Sequence, residues 1–356
     1  MLTLVKTDDA VPLLSIYEAP EKKPGSKVFD KRQAAKKKML GTVYFTHELD
    51  PDKQNVSDAA GVLALHKEYL KKENHVSEYE FQEITQLLDD DEEPDGHHPL
   101  KHAYWNIRQH FDRYLQREMF IGDDPSAIFE LNIPTKRTDW PGTMTLIGSS
   151  GAGKTRFLTD MMLRYFRSTP DHSKRVLYWL SPELEIDKTI APLKDKKWAM
   201  WFRGIDISAP ALKKTGKDPT SYFHEMIATP IEQSGENALI VLDDFPDGAR
   251  SLYPMLLNAY NNWIRVARHR NQGIYSLQHT YAGGKNTSQS LQSNKYIIFF
   301  PRSQQNRCIT FLRDHLMMQV NQARELVRRF AKLDRWLAIQ MHSPVCIYNG
   351  KYLVLL

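Results

Sequence analysis

Gly148-Ser149-Ser150-Gly151-Ala152-Gly153-Lys154-Thr155 is the stretch that most narrows what this 356-residue chain can become. It fits G-x-x-x-x-G-K-[ST], preceded by the apolar run Thr143 to Ile147 and followed by Arg156 to Phe166, which has helical spacing. Average residue frequencies make a chance match in a chain this long about a 1 in 100 event, and flanks of the right kind lower it further. Glycines let backbone N–H groups converge on an anion, and the helix that follows adds the positive end of its dipole. The stretch reads as a phosphate-binding loop between a strand and a helix. Gly148 to Gly153 and Arg156 would frame the phosphates, Lys154 would reach the β and γ groups, and Thr155 would give its hydroxyl to Mg²⁺. A glycine-rich turn with an incidental lysine is the bland alternative.

Beyond Trp140-Pro141-Gly142, short apolar runs alternate with longer helical or polar stretches. This pattern implies a mostly parallel sheet covered by helices on both faces. Thr143 to Ile147, Arg175 to Leu180, Ala238 to Leu242, Gly273 to Leu277 and Lys295 to Phe300 are the five strongest strands, with Trp198 to Phe202 a weaker sixth. Near the C-terminus, Val345 to Tyr348 and Tyr352 to Leu355 flank Asn349-Gly350, a strong hairpin signal.

A loop of this kind needs a second acidic site on a neighbouring strand, and Ala238 to Leu242 ends in Asp243-Asp244. Asp243 would hold Mg²⁺, and Asp244 would orient the water that attacks the γ-phosphate. An ordinary strand entering the turn Phe245-Pro246-Asp247-Gly248 would look the same. Gln278, at the end of Gly273 to Leu277, stands where a γ-phosphate sensor would, at the edge where α/β sheets bind ligands; it is equally a simple strand-ending polar residue. His279 reads as packing. Arg265, Arg268 and Arg270 are candidates to complete a neighbouring subunit's site, Arg268 and Arg270 above all. The alternative is that they offset the dipole at the C-terminus of a helix over Ser251 to Arg268. Arg302, Arg307 and Arg313 have no stronger warrant.

The first 125 residues have another texture. A basic segment (20–39) holds eight Lys and Arg, and an acidic run (89–96) should be a solvated loop because like charges repel. Helical spacing covers Ala59 to Leu70, Ser77 to Leu88 and Lys101 to Met119. The expected division is a mainly helical region over 1–125 and a nucleotide-binding domain over 126–356. Two cysteines, Cys308 and Cys346, are too few for a disulfide framework and lack zinc-site spacing. The longest apolar stretches fall far short of the roughly 18 to 20 residues that cross a bilayer, and the first residues lack the pattern of a signal peptide. A place inside a cell and no membrane partner are expected. The net charge of +5 permits nucleic-acid binding without requiring it.

With the phosphate-binding loop, the Asp-Asp strand and the Gln-ended strand in this order, the chain resembles the FtsK/HerA superfamily of P-loop ATPases. Within it, the resemblance is to the viral genome-packaging branch that includes the poxvirus packaging ATPase. Arg268-His269-Arg270-Asn271-Gln272 leading into Gly273 to Tyr281, and Leu291 to Phe300, resemble that branch. Gln292 stands where many relatives have an arginine, and Asp244 where cellular members commonly have Glu. The resemblance implies an α/β P-loop NTPase fold with a C-terminal β-hairpin, and ATP and Mg²⁺ as cofactors. It further implies a hexameric or pentameric ring that drives double-stranded DNA, without sequence preference, into a preformed capsid. Partners would be the DNA and capsid or portal-vertex proteins, at the site of virion assembly in host cytoplasm or nucleus, or in the virion. Lys285 in the loop Gly283 to Ser293, and Arg324, Arg328 and Arg329 on a helix from about Asp314 to Lys332, are candidate DNA contacts. A soluble P-loop assembly factor that moves no DNA is the competing function, and a small-molecule kinase the third.

Overall fold

The computed structural model describes residues 2–3, 11–18, 39–45, 67–90, 92–114, 118–120, 127–279, 293–342 and 344–356. The chain divides into two compact units, one built from N-terminal residues up to Phe129 together with Lys351–Leu356, the other from Glu130–Gly350. The basic segment over 20–38 and the loop residue Lys285 lie outside the described residues. Among the described residues no helix is long and apolar enough to cross a membrane.

In the first unit the strands β1 (Leu2–Thr3), β2 (Val11–Glu18) and β3 (Met39–Phe45) precede the helices α1 (Lys67–Asn74), α2 (Glu78–Asp89) and α3 (Lys101–Tyr114). The short strand β4 (Glu118–Phe120) and β5 (Ala127–Glu130) follow. The helices agree with the apolar spacing; residues 59–66 of the first expected helix lie outside the described residues, and the third gives way to β4 before Met119. Ser77 fixes the start of α2 through a capping box with Glu80. Leu70, Phe81, Ile84, Leu88, Tyr104 and Ile107 bury one face of each helix against the others. The acidic run is tethered rather than wholly solvated, because the Tyr104 hydroxyl donates to Glu92 O at 2.8 Å and burial raises the pKa of Glu93. The sheet in the order β1-β3-β2-β5 goes beyond the sequence reading.

The second unit is an α/β layer structure. Its elements begin with β6 (Thr143–Ile147), α4 (Lys154–Ser168), β7 (Val176–Ser181), β8 (Phe202–Asp206) and α5 (Ala209–Thr215). Then come β9 (Ala238–Asp243), α6 (Tyr253–Val266), β10 (Gly273–Gln278), β11 (Tyr296–Phe299), α7 (Pro301–Leu316) and α8 (Val320–Leu333). The last strands of this unit are β12 (Leu337–Gln340) and β13 (Cys346–Tyr348), and β14 (Tyr352–Leu355) belongs to the first unit; β13 and β14 are strands where the two arms of the hairpin are expected. Within this unit the order is β13-β12-β11-β6-β10-β9-β7-β8. From β11 to β8 every pairing is parallel, whereas β12 and β13 run antiparallel. All five residues of β6 and all six of β9 are buried, as the continuous apolar runs require of strands covered on both faces.

Two expectations are corrected. Trp198 is not in a strand: the Asp195 carboxylate accepts from Lys197 N, which turns the chain, and Trp198 stacks on Phe166 at 5.4 Å. The edge strand starts at Phe202 instead. The single helix expected over about 314–332 is two helices, broken at Met317, which adopts the left-handed conformation (φ 54°). Arg324 and Arg328 lie exposed on one face of α8, opposite the buried Ala323, Val327 and Phe330.

A polar chain crosses the buried centre of the sheet. Asn294 Nδ2 donates to Thr145 Oγ1 (3.0 Å), Thr145 and Ser276 share a hydrogen bond (3.0 Å), and Ser276 meets the Tyr260 hydroxyl (3.2 Å). Gln278 Nε2 reaches Ser276 Oγ at 3.4 Å.

Arg175 is fully buried at the start of β7, where its guanidinium donates to the carbonyls of Pro134, Lys136, Arg137 and Asp139. A planar fork of five donors suits such a cluster of acceptors. Replacing Arg175 by Ala would leave these carbonyls without their donors and is expected to cost about 3 kcal/mol or more. Urea unfolding monitored by circular dichroism checks this; an unchanged midpoint would show that the clamp does not stabilise the fold.

Candidate nucleotide site

Parallel register brings the candidate residues level. Gln278 pairs with Ile147, Leu277 with Asp243, and Phe299 with Ile147, so β6, β9, β10 and β11 end along one edge of the sheet. The ladder continues past the strand ends: Gly148 N donates to Gln278 O (3.1 Å) and Phe300 N to Ile147 O (3.1 Å).

Gly148 lies so close to Phe300 and Ala152 that a Cβ there would stand 3.1 Å from both side chains. Gly153, with φ 106°, precedes the first residue of α4 and no side chain caps that end. The first turn carries no acid, so its N–H groups are available to an anion. Ser149 and Ser150 line a cleft of about 800 Å³ with His279, Arg302, Gln304 and Arg307. This is the P-loop NTPase fold.

Lys154 is 5% exposed and folds back onto the loop, donating to Gly148 O (2.9 Å) and Ser149 O (3.3 Å). Burial lowers its pKa, while Asp244 and then Asp243 oppose that shift. Asp243 ends β9 at 4% exposure. Burial first, and then the charge of Asp244, pushes its carboxyl up to about 7; Asp187 acts in the same direction, and the Trp179 indole and Lys154 pull the other way. Asp244 takes up φ 44°, ψ 40°, which ends the strand and starts the turn Phe245–Asp247. Its pKa is raised by burial against the opposing effects of Lys154 and His279, and its Oδ1 is buried with no hydrogen-bond partner.

His279 joins these groups, although the sequence reading gave it only a packing role. Its Nε2 lies 3.1 Å from Asp244 Oδ2 and its Nδ1 3.3 Å from Lys154 Nζ. Gln304 Nε2 holds the His279 carbonyl at 2.6 Å, from a point where α7 departs from helical geometry. The signal is positional: the register of β10 on β9 pairs Leu277 with Asp243, which sets Gln278 level with Asp244, and His279 follows directly after.

Other candidates are placed differently. Thr155 is half-buried in the first turn of α4, whereas Arg156 is exposed and pairs with Asp160 at 2.8 Å. Arg268 and Arg270 stand exposed before the N-terminal end of β10, at the edge of the sheet away from the loop of the same chain. Arg302 and Arg307 line the cleft beside this chain's loop. A buried carboxylate, a hydroxyl and the partnerless Asp244 Oδ1 form a hard-oxygen set that fits Mg²⁺. Among the described residues no group of three or more His, Cys, Asp or Glu converges as a metal site.

No protein-family model and no curated protein sequence matches the chain. Among solved structures it is similar to the genome packaging NTPase B204 of Sulfolobus turreted icosahedral virus 2 in complex with ATP-gammaS, at 11% identity and TM-score 0.36, covering 58% of this chain and 96% of that one. It is also similar to B204, the DNA-packaging ATPase of Sulfolobus turreted icosahedral virus, at 10% identity and TM-score 0.36, covering 61% and 98%. A third likeness is to the cytoplasmic domain of the Thermomonospora curvata type VII secretion ATPase EccC, at 14% identity and TM-score 0.38, covering 66% and 28%.

The raised pKa of Asp243 sets the sign of a stability effect. The folded, nucleotide-free protein keeps a proton that the unfolded chain loses above its ordinary value, so this group's contribution falls as pH rises from about 4 to about 7. With chelator present, the thermal midpoint of Asp243→Asn should therefore fall less between pH 5 and pH 8 than that of the wild type. Parallel curves would show that Asp243 is ionised throughout.

Proposed function

We propose that the chain hydrolyses ATP and that a ring of copies uses the turnover to move double-stranded DNA into a preformed viral capsid. The observation that carries the reading is the convergence of Lys154, Asp243, Asp244 and His279 around the phosphate-binding loop at one sheet edge. The order of motifs in the sequence supports the DNA-packaging part.

The loop N–H groups and the α4 N-terminus receive the phosphates, and Lys154 exchanges the carbonyls of Gly148 and Ser149 for β- and γ-phosphate oxygens. Thr155 and Asp243 would hold Mg²⁺, which when bound offsets the charge on those oxygens. Asp244 orients a water for in-line attack: the new P–O bond forms on γ-phosphorus, the bond to the bridging oxygen breaks, and ADP leaves with that oxygen. The proton of the attacking water passes to Asp244. His279 holds the Asp244 carboxylate through Nε2 and is a positioning residue. Gln278 sits beside the loop through its carbonyl and supplies an amide at the γ-phosphate. Arg268 and Arg270 could reach a nucleotide only across a subunit boundary.

Turnover measured with and without duplex DNA tests the whole reading. Lys154→Ala should lose nearly all activity, and Asp244→Asn should bind ATP with turnover reduced by about 100-fold or more. Full turnover in Asp244→Asn would assign the water to another residue. A wild type that stays monomeric with nucleotide and ignores DNA would exclude the motor.

His279→Ala should lower kcat about 10-fold with KM nearly unchanged, because it acts on Asp244 rather than on the nucleotide. A rise in KM alone would make His279 a binding residue instead.

A further inference from the structure

Charge is divided between the two edges of the parallel sheet. Asp187, Asp243, Asp244 and Asp247 gather near Lys154 and His279 at the nucleotide edge. The N-terminal edge is basic. Between residues 265 and 273 the chain has three arginines, one histidine and no acid. Arg268, His269 and Arg270 are exposed on the turn that leads from α6 into β10.

This turn is tied to a second basic segment. Asn271, in the left-handed conformation (φ 49°), donates from its backbone N–H to Arg268 O at 3.3 Å and from its side-chain amide to Arg137 O. Lys136 and Arg137 are exposed, on a backbone held from within by the Arg175 clamp. Trp140 Nε1 donates to Gln272 O (3.0 Å), its ring stacks on His342 (6.3 Å between centroids), and Lys295 Nζ lies 5.9 Å from the same ring. His342 has its pKa lowered by burial first and then by Lys295 and Arg268, so it feels the positive field of the edge. Lys136, Arg137, Arg268, Arg270 and Lys295 make five basic residues, against Asp139 and Glu236 on the adjoining turns.

A six-residue strand separates the edges by about 20 Å. The Debye length at physiological salt is about 8 Å, so the acidic edge does not cancel the field of the basic one. Arginine forks on stiff turns match phosphate oxygens in pairs. None of the exposed large apolar side chains among the described residues lies on these turns, which leaves a lipid surface without an anchor.

We propose that this basic edge is the surface on which the unit grips the phosphate backbone of duplex DNA. The proposal rests on the reading that DNA is the partner, and it places the contact on the side of the sheet away from the nucleotide. Binding there is sequence-independent and depends on counterion release.

The test is fluorescence anisotropy of a labelled duplex of arbitrary sequence with the full chain, without nucleotide, over a range of salt concentrations. Arg268→Ala/Arg270→Ala should bind about 10-fold or more weakly near physiological salt and lose about 2 from the slope of log K against log salt. Arg268→Lys/Arg270→Lys should keep the slope. Lys213→Ala/Lys214→Ala, which removes equal charge from the last turn of α5, should match the wild type. Equal thermal midpoints would show that the variants are folded. A wild type that binds no duplex defeats the DNA reading itself. If the wild type binds and the Arg268→Ala/Arg270→Ala protein binds as well with the same slope, the surface assignment fails and the DNA reading stands. A variant that keeps its DNA affinity but loses turnover would place these arginines at a neighbouring nucleotide and overturn the proposal. Sedimentation with anionic vesicles in place of duplex binding would overturn it as well.

Discussion

Parallel pairing of β9, β10, β6 and β11 is the constraint on which the nucleotide site depends. Asp243, Asp244, Gln278 and His279 are each the last residue of a strand or the next one along, so their height is set by ladder hydrogen bonds rather than by their own side chains. A slip of one residue would move a group by about 3.3 Å and turn it to the other face of the sheet. The buried apolar residues of β6 and β9 make such a slip costly, because they would have to repack on both faces at once. The precision of the polar groups is therefore supplied by the apolar ones below them.

That dependence also explains what the sequence discloses. Strands buried on both faces are mostly apolar, with any polar side chain such as Thr145 hydrogen-bonded inside, so Thr143 to Ile147 and Ala238 to Leu242 stand out as runs, and the polar residues after them mark the functional edge. Glycines at close approaches, such as Gly148 beneath Phe300, give the loop away for a similar reason. The N-terminal sheet was harder to see. β2 carries Pro12 and two shifts of register, and β3 borders a basic segment, so neither shows a regular period of two. The break at Met317 depends on one left-handed residue that is neither Gly nor Asn. His279 was hidden because a lone histidine after a strand has no pattern of its own; only the register with β9 reveals its neighbours.

The nucleotide edge holds its charges at some expense of solvation. Lys154 and Asp243 are both nearly buried, and burial pushes the pKa of each toward its neutral form. Carbonyl acceptors steady the lysine and His279 steadies Asp244. A polyphosphate would supply opposite charge to Lys154, and a cation bound with it would do the same for the two carboxylates.

The buried polar chain from Asn294 to Tyr260 closes without Gln278. Asn294 Nδ2 donates to Thr145, and Ser276 is hydrogen-bonded to both Thr145 and Tyr260, whichever hydroxyl of each pair is the donor. Ser276 therefore has its needs met before Gln278 approaches, and the 3.4 Å contact from Gln278 is the longest link in the set. Gln278 can rotate away and leave no hydroxyl orphaned in the core. The Ser276 hydroxyl beneath Gln278 keeps its partners in either orientation, so the side chain can move without disturbing the sheet that carries it.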